Sequence, residues 1–358
     1  MTLESLTVED FRCVERAELA LHSRCNLITG ENASGKTTLL EAVYVLGRGR
    51  SFRTAQTETL IQASKSSFQL VARVHAHDGT GRPLGMRFQS SGTEIRYSGK
   101  AVGSLAELAS VLPVQAIDPE VHRLIEGGPQ ERRRYIDWGV FHVEPSFIGH
   151  WRRYQRALRQ RNAALKASQP DALVRIWDKD LIEAGGELAA LRTRYVEALR
   201  PHIAAVSERL LGSPIELILM RGWSAERSLE DALAASWPRD RARGLTHSGP
   251  HRADLVVRFD GVIARDRVSR GQQKLAAAAL LLGQLYCDAE LGSDVAALLV
   301  DDPAAELDES HLRKLLAEVA GLPAQLVLTA LDPRNVALQD LPHGHRFHVE
   351  HGSVTRLI

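Results

Sequence analysis

The sequence predicts an α/β fold: a mixed lobe of strands and helices that the chain builds in two instalments, with a helical second lobe and a short arm inserted between them. Three observations predict it. Apolar and polar residues alternate in segments between Leu3 and Ser98, as half-buried strands do, and strands return after Gly249–Pro250. An apolar strand, Cys25 to Thr29, runs into a glycine-rich turn that opens a helix. From Pro119 to Arg241 the texture becomes helical.

Taken in order, residues 3–9 and 15–21 read as strands, with Leu3, Leu6 and Val8, then Ala17, Leu19 and Leu21, on the apolar side. After the turn, Leu39, Leu40, Val43 and Leu46 fall at helical spacing, and Gly47 reads as the stop. Phe68 to Ser98 reads as an antiparallel meander turning at Asp78–Gly81 and Ser91–Gly92. Helices are expected over Trp151–Ala167 and Ala172–Leu211, with a weak interruption at Gly185–Gly186. A strand follows at Asp254–Phe259, a helix at Gln272–Asp288, a strand at Val295–Val300, a helix at Ser310–Val319 and a strand at Gln325–Thr329. The expected division is 1–115 with 246–358 as the α/β lobe, and 116–245 as the helical lobe. Even as one antiparallel helix pair, that insertion would reach only roughly 100 Å, so a compact lobe with a short arm is expected.

Composition narrows the function. Of the 358 residues, 44% are hydrophobic and 25% charged, ordinary for a globular chain, and no apolar run approaches the ~20 residues that span a bilayer. Met1–Asp10 is acidic and strand-like, so no signal peptide is expected, and the three cysteines lack metal-ligand spacing. The expectation is a cytoplasmic protein without a membrane partner. A net charge of +1 confines any nucleic-acid contact to local patches, and 5% aromatic residues argue against a base-stacking channel.

Gly30-Glu31-Asn32-Ala33-Ser34-Gly35-Lys36-Thr37 fits G-x-x-x-x-G-K-[ST] between a strand and a helix, with Thr38 next in the helix. Glycines let backbone amides cradle phosphates, and the helix start adds positive potential. Lys36 suits the β/γ-phosphates, and the Thr37 hydroxyl suits Mg²⁺, so ATP and Mg²⁺ are the expected cofactors. Ala296 to Val300 is an apolar strand delivering Asp301 and Asp302: Asp301 suits the outer shell of Mg²⁺, and Asp302 the attacking water. Ser269-Arg270-Gly271-Gln272 opens an Ala/Leu-rich helix with Ser269 as N-cap, a second anion site. Since the first loop already holds phosphate, this second start suits a partner copy's γ-phosphate, which implies an ATP-sandwich homodimer.

These residues, in this order, resemble an ABC-type ATPase head of the SMC kind, and closely the RecF family of recombination mediators, over essentially the whole chain. The resemblance implies a P-loop α/β lobe with an antiparallel β subdomain. It implies that Arg12, in Phe11-Arg12, reaches the nucleotide phosphates, and that Gln115, in Pro113-Val114-Gln115, senses Mg²⁺ and γ-phosphate. Gly127-Gly128-Pro129, Arg132-Arg133, Trp138-Gly139 and Ser248 to Asp254 resemble further segments of that family. Ser269 to Gln272 stands where the ABC signature belongs, and Ala305-Glu306-Leu307-Asp308 where the D-loop belongs. The implied function is a DNA replication and repair protein: a clamp that dimerises with ATP, binds DNA at gaps or single-strand/duplex junctions and hydrolyses ATP slowly. With a RecR-like mediator, and indirectly RecO, it would promote RecA loading in recombinational repair and the SOS response. Four positions depart from the pattern: Asp302 where most ABC ATPases have glutamate, Thr329 in the place of the switch histidine, Ala305 where relatives carry serine, and Pro303 after the carboxylates. The first predicts slow turnover.

Residues 131–166 carry a local +6, and Arg152, Arg156 and Arg159 share one helical face that could track a phosphate backbone. The alternatives are a solvated face or an arm paired with Glu183 and Glu187. His247 and His251 flank Gly249–Pro250 and read as a structural turn rather than a metal site. Two competing readings remain: a nucleotide-gated DNA and partner-binding module with incidental hydrolysis, and the ATPase subunit of a membrane transporter. Against the latter stand the missing switch histidine and Arg270 in place of a glycine.

Overall fold

The computed structural model describes residues 1–75, 79–267, 269–293, 297–305, 307–333 and 341–357. Asp78, Val268, Val295, Ala296 and Glu306, which the sequence reading used, lie outside the described residues. In chain order, β1 (Thr2–Phe11), β2 (Val14–Ala20) and β3 (Cys25–Thr29) lead to α1 (Lys36–Arg48). Then come β4 (Ser67–His75), β5 (Gly81–Gln89), β6 (Gly92–Tyr97), β7 (Lys100–Ala101), α2 (Leu105–Val111) and β8 (Val114–Ile117). The middle comprises α3 (Arg123–Glu126), α4 (Pro129–Val143), α5 (Phe147–Lys166), α6 (Asp171–Arg175), α7 (Asp178–Leu211) and β9 (Ile215–Met220). It continues with α8 (Leu229–Arg243), β10 (Asp254–Phe259), β11 (Val262–Ile263), α9 (Ala264–Arg267) and α10 (Arg270–Glu290). The last part adds β12 (Ala297–Val300), α11 (Glu309–Ala320), β13 (Gln325–Ala330), β14 (Gly344–Glu350) and β15 (Ser353–Leu357).

These elements form two compact units, Met1–Val121 with Ser293–Ile358, and His122–Gly292. The expected division puts 246–292 in the α/β lobe, but these residues pack in the second unit. The reason is pairing: β10 joins β9 in antiparallel register, and α10 runs against α7.

In the first unit, among the described residues, β14, β3, β13, β12 and β8 lie side by side in parallel, with β15 antiparallel at the β14 edge. Every residue of β3, β12 and β13 is buried, which is why these strands read as continuous apolar runs rather than alternating ones. The second sheet, β2-β1-β4-β5-β6-β7, is antiparallel and does alternate. In β1 the alternation slips from Leu3 to Leu6 because a bulge shifts the register against β4 between Leu3 and Ser5. Helix α1 touches strands of both sheets, and one core joins Leu39, Val43 and Leu46 to Leu70 and Phe68 on one sheet and Leu299 and Val327 on the other. The helix does not stop at Gly47. It ends at Gly49, in the left-handed region at φ +65°, and Gly47 instead gives close approach: a Cβ there would lie 2.6 Å from the Leu112 carbonyl oxygen.

The second unit is organised on α7, 34 residues and roughly 50 Å long, which packs against α4, α5 and α10. The helical run breaks at Ile176–Trp177 rather than at Gly185–Gly186; Gly185 stays helical and lets Leu229 and Tyr154 pack close. Charged side chains are built into this unit. Arg161 is fully buried and donates to Asp178, Asp240 and Thr246 at 2.7–2.9 Å. Arg192 holds Asp137 through two bonds and the Pro250 carbonyl through a third. Gly139 leaves space for Tyr195, whose hydroxyl would sit 1.9 Å from a Cβ there and donates to the buried Asp288 at 2.6 Å.

Candidate nucleotide site

The loop from β3 to α1 is shaped for backbone approach. Gly30 has φ +153°, and a Cβ there would lie 2.2 Å from the Val349 carbonyl oxygen; Ala33 and Gly35 also have positive φ. The start of α1 is capped by Gly35, which has no side chain to bond its first amides. Those amides border a cavity of about 720 Å³ that Asn32, Ala33, Gly35, Lys36, Thr37 and Thr38 help to line. Ser34 Oγ is buried with no partner among the described residues, while its carbonyl accepts from the Gly352 amide at 2.8 Å. The β14–β15 hairpin thereby braces the loop, an element the sequence reading did not assign. Lys36 Nζ donates to the Gly30 and Glu31 carbonyls at 2.7 and 2.8 Å, so Glu31 contributes its backbone. Burial lowers the Lys36 pKa, and Asp302 and Asp301 oppose that shift.

Asp301 and Asp302 leave the carboxyl end of β12, on the same sheet edge as the end of β3 that carries the loop and one strand, β13, away from it. The Thr37 hydroxyl reaches both Asp301 carboxylate oxygens at 3.0 Å. Donating its one proton there, it keeps lone pairs for a cation. Asp302 lies in the left-handed region at φ +39°, uncommon for a residue with a side chain and a feature that recurs where backbone is held for chemistry. Burial raises the Asp302 pKa, countered by Lys36 and reinforced by Asp301. Ala305, from the expected D-loop, closes a turn on the Asp302 carbonyl and lines the cavity.

Two expected site residues are placed differently. Thr329 is fully buried and does not line the cavity; its hydroxyl donates to Asp301 at 2.7 Å and accepts the Asp302 amide at 2.9 Å. It fastens the two aspartates to β13 rather than meeting nucleotide. Gln115 lies inside β8 opposite Leu298, buried, with its carbonyl oxygen taken by Arg48 at 2.9 Å. It lies two residues short of the strand end and does not line the cavity; Pro119 is the residue after β8 that does.

Arg12, expected to reach phosphate, lies at the cavity. It lines the cavity at φ +56° and bonds Glu41 through Nε and Nη2 at 3.0 and 2.7 Å. Sequence reasoning missed Arg53, which shares this wall, and Glu41, which is buried behind it and pairs with both arginines. The available signal was a glutamate inside the apolar run Leu39 to Leu46.

Within the second unit, Ser269 caps α10 through a reciprocal box with Gln272, and Arg270 and Gly271 are exposed at the helix start. Arg152, Arg156 and Arg159 are exposed on α5. Other members of the basic segment are spent on structure: Arg132 on Asp254, Arg153 on Asp180 and Glu183, and Arg161 on its buried network. His251 is held between the Tyr154 hydroxyl and the Thr246 carbonyl and His247 by Asp240; burial pushes the His251 pKa down to about 4.

The first-unit residues suit a nucleoside triphosphate with a hard divalent cation: a glycine-shaped amide cradle, an orphaned buried hydroxyl at Ser34, a lysine, and hydroxyl and carboxylate oxygens converging at Thr37 and Asp301. Comparison with known proteins agrees. The model of the RecF/RecN/SMC N-terminal domain matches residues 2–350. A DNA replication and repair protein RecF of Thioalkalivibrio sulfidiphilus is 40% identical over 356 residues, covering 99% of both chains. One of Pseudomonas aeruginosa is 39% identical over 368 residues, covering 99% of this chain and 98% of its own. A structure of the recombination mediator protein RecF with ATP, in the RecFOR pathway, has a TM-score of 0.88 at 26% identity over 100% of this chain and 98% of that one. An SMC head bound to the C-terminal winged-helix domain of ScpA shares the fold, with a TM-score of 0.63 at 15% identity over 100% and 97%.

Proposed function

This chain belongs to the RecF family of DNA replication and repair proteins, ATP-binding relatives of the SMC ATPases, and from that premise we propose that it is a slow, DNA-stimulated ATPase that clamps gapped DNA as an ATP-bound homodimer. The observation that carries the proposal is the Lys36, Thr37, Asp301 and Asp302 arrangement at the strand ends.

Bound MgATP supplies the γ-phosphate and the Mg²⁺ charge; the chain supplies position. Lys36 gives up a carbonyl partner to meet phosphate oxygens, and the α1 amides bond those oxygens along the helix start. Thr37, which donates to Asp301, keeps lone pairs that would hold Mg²⁺, with Asp301 behind it to orient the hydroxyl. Asp302 orients the attacking water, and its short side chain limits turnover. Ser269 and the following amides serve the triphosphate of a second copy. DNA is held without sequence preference by cations such as Arg156 and Arg159, and a RecR-like mediator, with RecO, couples the clamp to RecA loading.

ATPase rates of the parent and Lys36→Arg, with and without gapped duplex across protein concentration, test this. The parent rate should rise more than linearly with protein and be stimulated by DNA, and the variant should be near background. A linear, DNA-indifferent parent rate overturns the proposal. Asp302, one methylene shorter than a glutamate at the position that would orient the water, favours a second reading in which nucleotide gates binding and hydrolysis is incidental. Equal DNA release with ATP and with a non-hydrolysable analogue would decide for it.

A further inference from the structure

Glu41 is a carboxylate with no exposed surface, on α1 one turn beyond Thr37. A buried charge persists only where partners compensate its desolvation, and each partner here leads to the cavity wall. Arg12 meets it through a two-pronged pair at 3.0 and 2.7 Å and donates with Nη1 to the Thr59 carbonyl at 3.3 Å. Arg53 reaches the same carboxylate at 3.4 Å. Ser51 donates its hydroxyl to Glu41 while accepting the Arg53 and Thr54 amides, which folds the segment after α1 back onto the helix. Arg12 is one-fifth exposed and Arg53 nearly half, so both guanidiniums keep an open side, and both line the cavity. One carboxylate facing two guanidiniums leaves a surplus positive charge on that wall, suited to the excess negative charge of a triphosphate.

We infer that Glu41 is a positioning residue: from within the core it holds Arg12 and Arg53 at the rim of the nucleotide cavity and so sets affinity for the triphosphate without touching it. This rests on the ATP-binding reading above and adds a residue and a route to it. The geometry explains why the position is a full-length acid. Glutamine offers one acceptor oxygen to a two-pronged guanidinium, and aspartate withdraws both oxygens by a methylene.

The test is a double-mutant cycle read by ATP dissociation constant on the full-length chain, with Glu41→Gln, the Arg12→Ala/Arg53→Ala pair and all three changes together. Glu41→Gln should weaken ATP binding about tenfold in the parent background and less than about twofold where both arginines are gone. AMP binding should change less than ATP binding, since the surplus charge acts on the outer phosphates. A purely structural role would lower the melting temperature without that coupling. If the effect of Glu41→Gln is equally large without the arginines, or absent with them, the inference fails. Should Glu41→Gln not fold, Glu41→Asp replaces it, with a few-fold weakening expected and the same cycle applied. A parent chain that binds no ATP would instead defeat the proposed function.

Discussion

Thr329→Val is the sharpest test of how the aspartates are held. The change preserves shape and removes one hydroxyl from a side chain with no exposed surface. That hydroxyl donates to Asp301 at 2.7 Å and accepts the Asp302 amide at 2.9 Å. Loss of a bond to a charged group costs about 1.5–3 kcal/mol, and an amide left without its partner adds about 1 kcal/mol. The total, roughly 2.5–4 kcal/mol, corresponds to a melting-temperature drop of roughly 5–16 °C for a unit of this size. Asp302 also loses the bond that fixes its backbone at φ +39°, so hydrolysis should fall at least as steeply as stability, while ATP affinity, set by the loop and Lys36, falls less. Thermal unfolding, ATPase rate and ATP dissociation constant measured on Thr329→Val and Thr329→Ser separate these effects; serine keeps the hydroxyl and should recover most of both losses. A valine variant that melts within a degree of the parent and hydrolyses ATP normally would refute the fastening role, as would a loss confined to ATP affinity.

Two further outcomes follow from the second unit. The carboxyl of Asp288 is pushed by burial up to about 7. Below its unfolded pKa near 3.9 the proton is bound in both states; between there and about 7 only the folded chain keeps it, so stability declines with rising pH across that window and levels off above it, by roughly 4 kcal/mol. Asp288→Asn keeps an acceptor for the Tyr195 hydroxyl without the titration, so it should melt higher than the parent at pH 8 but not at pH 4; parallel melting curves from pH 4 to 9 would contradict the assignment. On α5, Arg156→Ala with Arg159→Ala should weaken gapped-DNA binding without regard to sequence and lower the slope of log affinity against log salt by about one for each phosphate no longer neutralised, whereas an unchanged slope removes these residues from the DNA surface.

What the sequence makes legible here follows from how local each signal is. The phosphate loop and the Asp301–Asp302 strand end are contiguous, and their geometry is fixed by neighbours in the chain. The alternation of β1 and β4 is readable because each buries one face, and the bulge at Leu3–Ser5 is a shift that period two cannot reveal. Thr329 reads at the right strand end with the wrong role, because its partner lies 28 residues away in sequence and only sheet register brings them together. Gln115 falls two residues inside β8, a distance that separates a strand interior from its active end. Proximity in the chain argues for 246–292 in the α/β lobe, whereas pairing of β10 with β9 decides its unit. Glu41 has a local signal, a charge inside an apolar helix face, but its meaning depends on Arg12 and Arg53, which arrive from either side of it in the chain.

The formal charges around the cavity suit a triphosphate that arrives with a divalent cation. On the lining Lys36, Arg12 and Arg53 carry three positive charges and Asp301 and Asp302 two negative ones, and the buried Glu41 behind the two arginines brings the formal sum for the whole site to zero. Attraction must therefore come from arrangement. The guanidiniums, the lysine and the amide cradle line the cavity, and the hydroxyls of Thr37 and Thr329 bond Asp301 at 3.0 and 2.7 Å. Phosphate oxygens brought against Asp301 and Asp302 meet repulsion unless a divalent cation stands between. Thr37, bonded to Asp301 and next to Lys36 in the chain, joins the two sets of charges. Its hydroxyl is the oxygen that would meet such a cation, and Thr329 ties the carboxylate behind it to β13.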